Sequence, residues 1–367
     1  MRRAFKYRLY PTKAQKVVLD DLLTGARCLY NAALEQRRMA WTDRRLSLNY
    51  YDQAAQLKEA RDADERLKLL NYSACQDVLR RLQKAFDAFF QRIKRGEMPG
   101  YPRFKSSGRF DSITFPAYGD GVKLSKQLRV QSVGDVKIKL HRPIEGKIKT
   151  VTLKREAGDW YAVFSCDEVP ARAYPQASAE VGIDMGLTSF ATLSTGEKIK
   201  NPRWYRRTEK RIADAQRSLS RKKRGSKRRT KAKHLLSRLR AKEKNQRNDF
   251  QHKLAHRIVF ENAVIVVEDL NPKEMSEKSS TGLAKSIQDA AWARFLSILG
   301  AKAEEAARRF VRVPPRGTSS TCSRCGALRQ KALSERLYEC PCGLVLDRDT
   351  NASLNILRLG RSLQAAS

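Results

Sequence analysis

Seven side chains of this sequence stand out as candidate metal ligands, and they fall into two sets. The first set is three carboxylates. Asp184 stands within Val181-Gly182-Ile183-Asp184-Met185-Gly186-Leu187-Thr188-Ser189-Phe190, Glu268 ends the run Ala263-Val264-Ile265-Val266-Val267, and Asp349 opens Asp349-Thr350-Asn351-Ala352-Ser353-Leu354-Asn355-Ile356-Leu357. Hydrolysis of a phosphodiester needs an activated water and relief of charge on the leaving oxygen. Two divalent ions about 4 Å apart supply both. Magnesium prefers oxygen and keeps several waters, so a few carboxylates suffice as its protein ligands. The three acids are therefore expected to hold two Mg2+ ions and to cut a nucleic-acid backbone. Taken singly, each has an ordinary role open to it: a strand-end turn for Asp184, a solvated acid for Glu268, a helix N-cap for Asp349. The second set is Cys322-Ser323-Arg324-Cys325-Gly326 and Cys340-Pro341-Cys342-Gly343. Two close pairs, each followed by glycine, suit one structural Zn2+ in a tetrahedral four-sulfur site, a zinc ribbon. A redox pair is the rival reading.

The elements that must carry these residues are legible in outline. Apolar residues before Asp184, a glycine and a second apolar run predict a strand, a tight turn and a paired strand, with Asp184 at the edge of a sheet. Residues 263–267 are apolar throughout, as in a central strand covered on both faces. Glu268 then emerges at its C-terminal end, where open α/β sheets place ligands. Between these acids lies a helical insert, about 203 to 258. From Arg203 to Leu254 it carries 21 Lys or Arg against 4 Asp or Glu. Gly225 and Ser226 should split it into two helices, and the block Arg221 to Arg229 should meet an anion.

Upstream, Phe5, Tyr7 and Leu9 alternate with polar residues as in a strand, and Thr12 with Gln15 predicts a capping-box helix start. The chain then reads helical to about Arg95, with Leu19, Leu22, Leu23, Leu79, Leu82, Phe86 and Phe89 as its core. Gly96, Pro99, Gly100 and Pro102 break it, and Gly100-Tyr101-Pro102-Arg103-Phe104-Lys105 is a basic–aromatic loop suited to bases and phosphates. Short β-type runs over 110–170 predict a small antiparallel sheet or barrel that the first strand could join. Pro170 to Gln176 reads as a linker.

Lys plus Arg outnumber Asp plus Glu by 75 to 39, a formal charge of +36. That charge points to nucleic acid as partner. No apolar run approaches a membrane span, so no membrane role is expected, and the start carries no signal core. The 7 cysteines are odd in number and four cluster, which suits a reducing compartment and a metal site rather than disulfides. Cytoplasmic location is expected. Cys28, Cys75 and Cys166 read as small buried residues.

With these motifs in hand, the chain resembles the TnpB (OrfB) proteins of bacterial insertion sequences, relatives of type V CRISPR nucleases. The resemblance runs from Arg8-Leu9-Tyr10-Pro11-Thr12 and Tyr30-Asn31 through the Gly100–Lys105 loop and Gly182-Ile183-Asp184-Met185-Gly186. It continues through Leu219-Ser220-Arg221-Lys222-Lys223, Asp249-Phe250-Gln251-His252-Lys253-Leu254, Val267-Glu268-Asp269-Leu270, the cysteine pairs and Asp347-Arg348-Asp349-Thr350-Asn351-Ala352. One departure is the second pair, Cys-x-Cys where many relatives have Cys-x-x-Cys.

The resemblance implies an α+β multidomain protein. A β-barrel, wedge-like domain would comprise 1–10 and 109–175, and a helical recognition domain 11–108. An RNase H-like (RuvC) α/β nuclease domain would comprise 176–317 and 346–367, with a zinc ribbon at 318–345. The implied activity is an RNA-guided DNA endonuclease of bacterial or archaeal cytoplasm. It would take a guide RNA from its own element and cut target DNA beside a short flanking motif; the sequence does not give the oligomeric state, and a monomer is the favoured expectation. Asp184, Glu268 and Asp349 match the catalytic acids, and Asp347 is a near neighbour. Tyr50 and Gln76 fall where flanking-motif contacts are made. Expected nucleic-acid contacts are these two with Lys6, Arg8, Arg103, Lys105, Arg221, Lys222, Lys223, Arg228 and Arg229. The alternatives are an RNA-guided DNA-binding repressor and a transposase or transposase accessory protein. An actin-like ATPase, which also opens on Gly-Ile-Asp-x-Gly, would need further phosphate loops that the sequence lacks.

Overall fold

A computed structural model describes residues 1–171, 174–329 and 335–365. Residues 172–173 of the expected linker, 330–334 of the expected zinc ribbon and 366–367 lie outside the described residues. The chain divides into two compact units, Met1–Pro170 and Ala171–Ser367.

The first unit opens with β1 (Arg3–Tyr10), followed by α1 (Lys13–Arg44), α2 (Tyr50–Ala55), α3 (Leu57–Ala63), α4 (Glu65–Leu69) and α5 (Tyr72–Lys94). The strands β2 (Ser112–Phe115), β3 (Val122–Leu124), β4 (Leu128–Val130), β5 (Gly134–Lys139), β6 (Lys147–Glu156) and β7 (Asp159–Asp167) complete it. The expected capping box starts α1: the Thr12 hydroxyl accepts from the Gln15 N–H at 3.2 Å, and the Gln15 side chain accepts from the Thr12 N–H at 3.0 Å. These bonds satisfy N–H groups that a helix start leaves without partners. The seven strands form one antiparallel, barrel-like sheet in the order β2-β6-β7-β1-β5-β4-β3. The strand at the N-terminus thus sits in mid-sheet, between β7 and β5. Its alternation buries Phe5, Tyr7 and Leu9 in a core shared with the apolar faces of α1 and α5.

The second unit runs β8 (Ala179–Met185), β9 (Ser189–Leu193), β10 (Lys198–Lys200), α6 (Trp204–Ser220), α7 (Lys227–Glu261) and β11 (Asn262–Glu268). Then come α8 (Pro272–Glu277), α9 (Thr281–Ala290), α10 (Trp292–Glu305), β12 (Arg309–Val313), β13 (Leu337–Glu339), β14 (Val345–Asp347) and α11 (Arg348–Ala365). A five-stranded sheet has the order β10-β9-β8-β11-β12, with β8, β11 and β12 mutually parallel, β9 antiparallel to β8, and β10 antiparallel to β9. This corrects the expected position of Asp184. Its strand is third of five, not at an edge, because the parallel β11 pairs along the side that β9 leaves open.

The sheet has two covered faces. Val181, Ile183, Ile265 and Val267 face a core built with α7 and α10, while Val266 and Val313 pack with Ile356 and Leu357 of α11. The basic insert is a helical hairpin, α6 and α7, broken where Gly225 and Ser226 stand. Among the described residues no helix is long and apolar enough to cross a membrane.

Candidate active site

Strand geometry brings the first two acids together. In the parallel pairing, Ile183 lies opposite Val267 and Gly182 opposite Val266. The next residues, Asp184 and Glu268, are therefore neighbours at the C-terminal ends of adjacent central strands. Side chains two apart share a face, so both acids lie on the face that carries Gly182 and Val266.

That face receives α11, and glycine decides how closely. A Cβ at Gly182 would lie 2.2 Å from the Ser353 carbonyl oxygen, and one at Gly360 would lie 2.4 Å from Val266 Cγ2. With nothing projecting at either point, the helix rests on the strands and its first turn reaches the strand ends. Asp349 is in that turn, one turn ahead of Ser353. The electrostatics report the same convergence. Burial, then the charges of Glu268 and Asp349, push the Asp184 carboxyl up to about 8. Burial also raises Glu268, against the bond from Thr318.

Asp347 has a different task. Its Oδ1 accepts from the N–H groups of Asp349 at 3.1 Å and Thr350 at 3.2 Å, and its Oδ2 from Lys198 Nζ at 2.6 Å. It caps α11, so the capping role open to Asp349 in the sequence belongs to Asp347. Burial pushes the Asp347 carboxyl up, but the Lys198 bond and the backbone donors outweigh it and hold it below its ordinary value.

Several positioning residues escaped the sequence reading. The Thr318 hydroxyl donates to Glu268 Oε1 at 2.5 Å. Asn355 Nδ2 donates to the carbonyls of Thr318 at 2.9 Å and Thr321 at 2.6 Å. Asn351 donates to the Thr321 carbonyl at 2.8 Å and accepts from the Ser323 N–H at 2.9 Å. Asn351, Ser353 and Asn355 are all buried. A run of small polar residues on the inner face of a helix was the available signal, because such groups are buried only when bonded.

These bonds hold the first cysteine pair against α11. The four sulfurs of Cys322, Cys325, Cys340 and Cys342 lie within 4.8 Å of one another, the only such group of metal-ligating atoms among the described residues. Cys322 and Cys342 are 3.7 Å apart, and Cys325 and Cys340 are 3.5 Å apart. A disulfide would need about 2 Å, whereas tetrahedral bonds of about 2.3 Å separate sulfurs by about 3.8 Å. The one-residue spacing of the second pair does not prevent this convergence. Gly326 and Gly343 take positive φ of 77° and 84°, which turns each chain segment back after its cysteines. Burial pushes the Cys322 thiol up, but the N–H groups of Cys325 and Arg324 aimed at its sulfur bring it down to about 6. The three carboxylates fall outside any such tight grouping. They converge at one strand end without forming a set of atoms as close as the four sulfurs.

The expected nucleic-acid residues are dispersed. In the first unit, Lys6 pairs with Glu156 and lies 4.1 Å from the Tyr161 ring centroid, and Arg8 pairs with Asp159 at 2.7 Å. Tyr50 is half-buried under the Arg80 guanidinium, and Gln76 is half-buried on α5. Arg103 is exposed. Lys105 is tied by its backbone to Asn31, which accepts from its N–H at 2.8 Å and donates to its carbonyl at 3.0 Å. In the second unit, Arg221, Lys223 and Arg228 are exposed. Lys222 Nζ bonds Ser218 Oγ at 2.9 Å, and Arg229 donates to the carbonyls of Leu219 and Lys222, both at 2.8 Å, closing the α6–α7 turn.

The fold is similar to that of Cas12 effectors. A Cas12f1–sgRNA–target DNA complex, solved by cryo-electron microscopy, matches it with a TM-score of 0.60 at 14% identity, covering 97% of this chain and 98% of that one. Family models described as "Probable transposase", "Cas12f1-like, TNB domain" and "Helix-turn-helix domain" match residues 163–279, 292–356 and 1–45. The last of these stretches is a strand and one long helix here. A Streptomyces pristinaespiralis protein provisionally named an RNA-guided DNA endonuclease is 39% identical over 100% of this chain and 91% of its own length. Another with that provisional name, InsQ of Escherichia coli K12, is 29% identical over 99% of this chain and 93% of its own length. The chain belongs to the TnpB (OrfB) family.

Proposed function

We propose that this protein is an insertion-sequence-encoded, RNA-guided DNA endonuclease. Asp184, Glu268 and Asp349 would be its catalytic acids on an RNase H-like (RuvC) framework. The observation that carries this is the pairing of Asp184 with Glu268 on adjacent central strands, with Asp349 near enough to help push Asp184 up to about 8. Clustered oxygen donors of one charge sign fit hard divalent cations and resist joint ionisation without them. Magnesium, when bound, polarises water and phosphate together and relieves charge on the leaving oxygen. The chain's own part is to hold three carboxylates at one strand end. The Thr318 hydroxyl orients Glu268, and the Asp347 cap fixes the turn that bears Asp349. Cys322, Cys325, Cys340 and Cys342 would hold one structural zinc, whose four filled positions leave none for catalysis. A guide RNA from the protein's own element, a short flanking motif read near Tyr50 and Gln76, and action as a monomer complete the reading.

The test is to sequence the RNA that copurifies, reprogramme its guide segment and assay plasmid cleavage in magnesium. Cleavage should follow the new guide and stop in EDTA. Cutting that ignores the guide, or continues in EDTA, overturns the proposal.

A further inference from the structure

Sheet register sets one lysine in line with the acids. Lys198 of β10 pairs with Thr192 of β9, and Thr192 pairs with Asp184 of β8. Directly opposed residues of antiparallel strands share a face. Lys198, Thr192 and Asp184 therefore form a row on the face that receives α11. Glu268 continues the row on β11, one residue past the pair of Val267 with Ile183. Two strand spacings, about 10 Å, separate the backbones of Lys198 and Asp184. The lysine side chain does not end on Asp184 or Glu268. It reaches the start of α11, where Nζ bonds Asp347 Oδ2 at 2.6 Å.

Asp347 is a fourth carboxylate beside the three acids. Its Oδ1 lies 3.1 Å from the Asp349 nitrogen, and its charge is among those that push Asp184 up. An acid so placed is of the right type to bind the same hard divalent ions. Both of its oxygens are occupied instead. Oδ1 caps α11 through the N–H groups of Asp349 and Thr350, and Oδ2 takes the lysine. The cap is complete without Lys198. An ion pair between side chains 43% and 32% exposed also adds little stability. What the lysine does control is the second oxygen and the local charge.

We propose that Lys198 is a positioning residue that withholds Asp347 from divalent ions, leaving them to Asp184, Glu268 and Asp349. The inference rests on the nuclease reading and deepens it, since it says how one of four neighbouring acids is kept out of the metal shell. Without the lysine, Oδ2 of Asp347 becomes an open, charged oxygen donor next to the turn that bears Asp349. It then competes with the three acids, so binding tightens while the position they define is lost. A displacement of about 1 Å in a reacting group can cost a hundredfold in rate.

The test is Mn2+ binding to the zinc-loaded full chain without DNA, with free Mn2+ read by electron paramagnetic resonance, beside guided plasmid cleavage in magnesium. Lys198→Met should bind Mn2+ roughly fivefold more tightly and cleave about tenfold more slowly. Adding Asp347→Asn to Lys198→Met removes the freed carboxylate, keeps an oxygen for the cap and restores the net charge. Mn2+ affinity should then return to within about twofold of wild type, and cleavage to within about threefold. Lys198→Arg should match the wild type in both. If Lys198 only steadies the fold, Lys198→Met will lose cleavage with unchanged Mn2+ affinity, and the second substitution will not rescue it. Either result overturns the proposal while the nuclease reading stands. Mn2+ binding by the wild type that Asp184→Ala leaves intact overturns both, because the three acids would not be the metal site.

Discussion

The second unit contains two clusters of anionic donors, built in opposite ways. The cysteines fall within 21 residues of chain, and two glycine-terminated turns bring all four sulfurs within 4.8 Å. The carboxylates are separated by 84 and 81 residues, and only a parallel strand pair and a helix packed on glycine bring them to one place. The first cluster is complete and closed, as a structural metal requires. The second stays open and mutually repelling, with Asp184 driven up to about 8, which suits a site whose remaining ligands are water and substrate. Local chain geometry makes the rigid shell, and long-range packing makes the one proposed above as reactive. The two are joined, because Asn351 and Thr318 connect the segment leading to Cys322 with α11 and Glu268.

The largest expected effect breaks the reactive cluster alone. Asp184→Ala or Asp349→Asn should cut plasmid cleavage by about 4 kcal/mol of barrier, roughly a thousandfold. Binding to guide RNA and target DNA, followed by filter binding, should hold. If either variant cleaves near the wild-type rate, the carboxylates are not the reactive set.

Breaking the closed cluster should act differently. In Cys322→Ser, metal analysis should fall from about one zinc per chain to none. Cleavage should fall about tenfold to a hundredfold through the lost support of Thr318 and Asn351. A variant that keeps its zinc, or a metal-free protein with full activity, breaks the link between the clusters.

The charge repulsion makes a prediction for pH. A carboxyl raised on folding binds its proton more tightly in the native state, so its stabilising contribution is complete below about 4 and is lost as pH rises through about 8. In EDTA the thermal midpoint should therefore decline from pH 5 to pH 9, with magnesium restoring it most at the alkaline end. Asp184→Asn should flatten the decline. A midpoint in EDTA that rises over this range contradicts a like-charged cluster with Asp184 raised.

The smallest effect separates the cap from the site. Asp347→Ala removes an N-cap, worth about 1 kcal/mol of stability, and cleavage should stay within about threefold of wild type. A loss as deep as that of Asp349→Asn would mean that Asp347 takes part in the chemistry.

Much of this organisation was present in the linear chain. The unbroken apolar run before Glu268 demanded a central strand. Gly225 and Ser226 marked the turn of the basic hairpin, and the cysteine spacing described a tetrahedral site without any distant residue. These features depend on neighbours in sequence, where periodicity and backbone restriction act. Tertiary structure alone decided the rest. Asp184 lies on the third strand of five, because β11 adds alongside β8 after the whole α6–α7 excursion. Asp347, not Asp349, caps α11, and two acids two residues apart have no local feature that assigns those tasks. Lys6, Arg8 and Arg229 are engaged by Glu156, Asp159 and the carbonyls of the hairpin turn, which composition could not distinguish from cations facing solvent. Nothing local marked Gly182. Its reason is contact: the Ser353 carbonyl, 171 residues away, occupies the space that any side chain there would need.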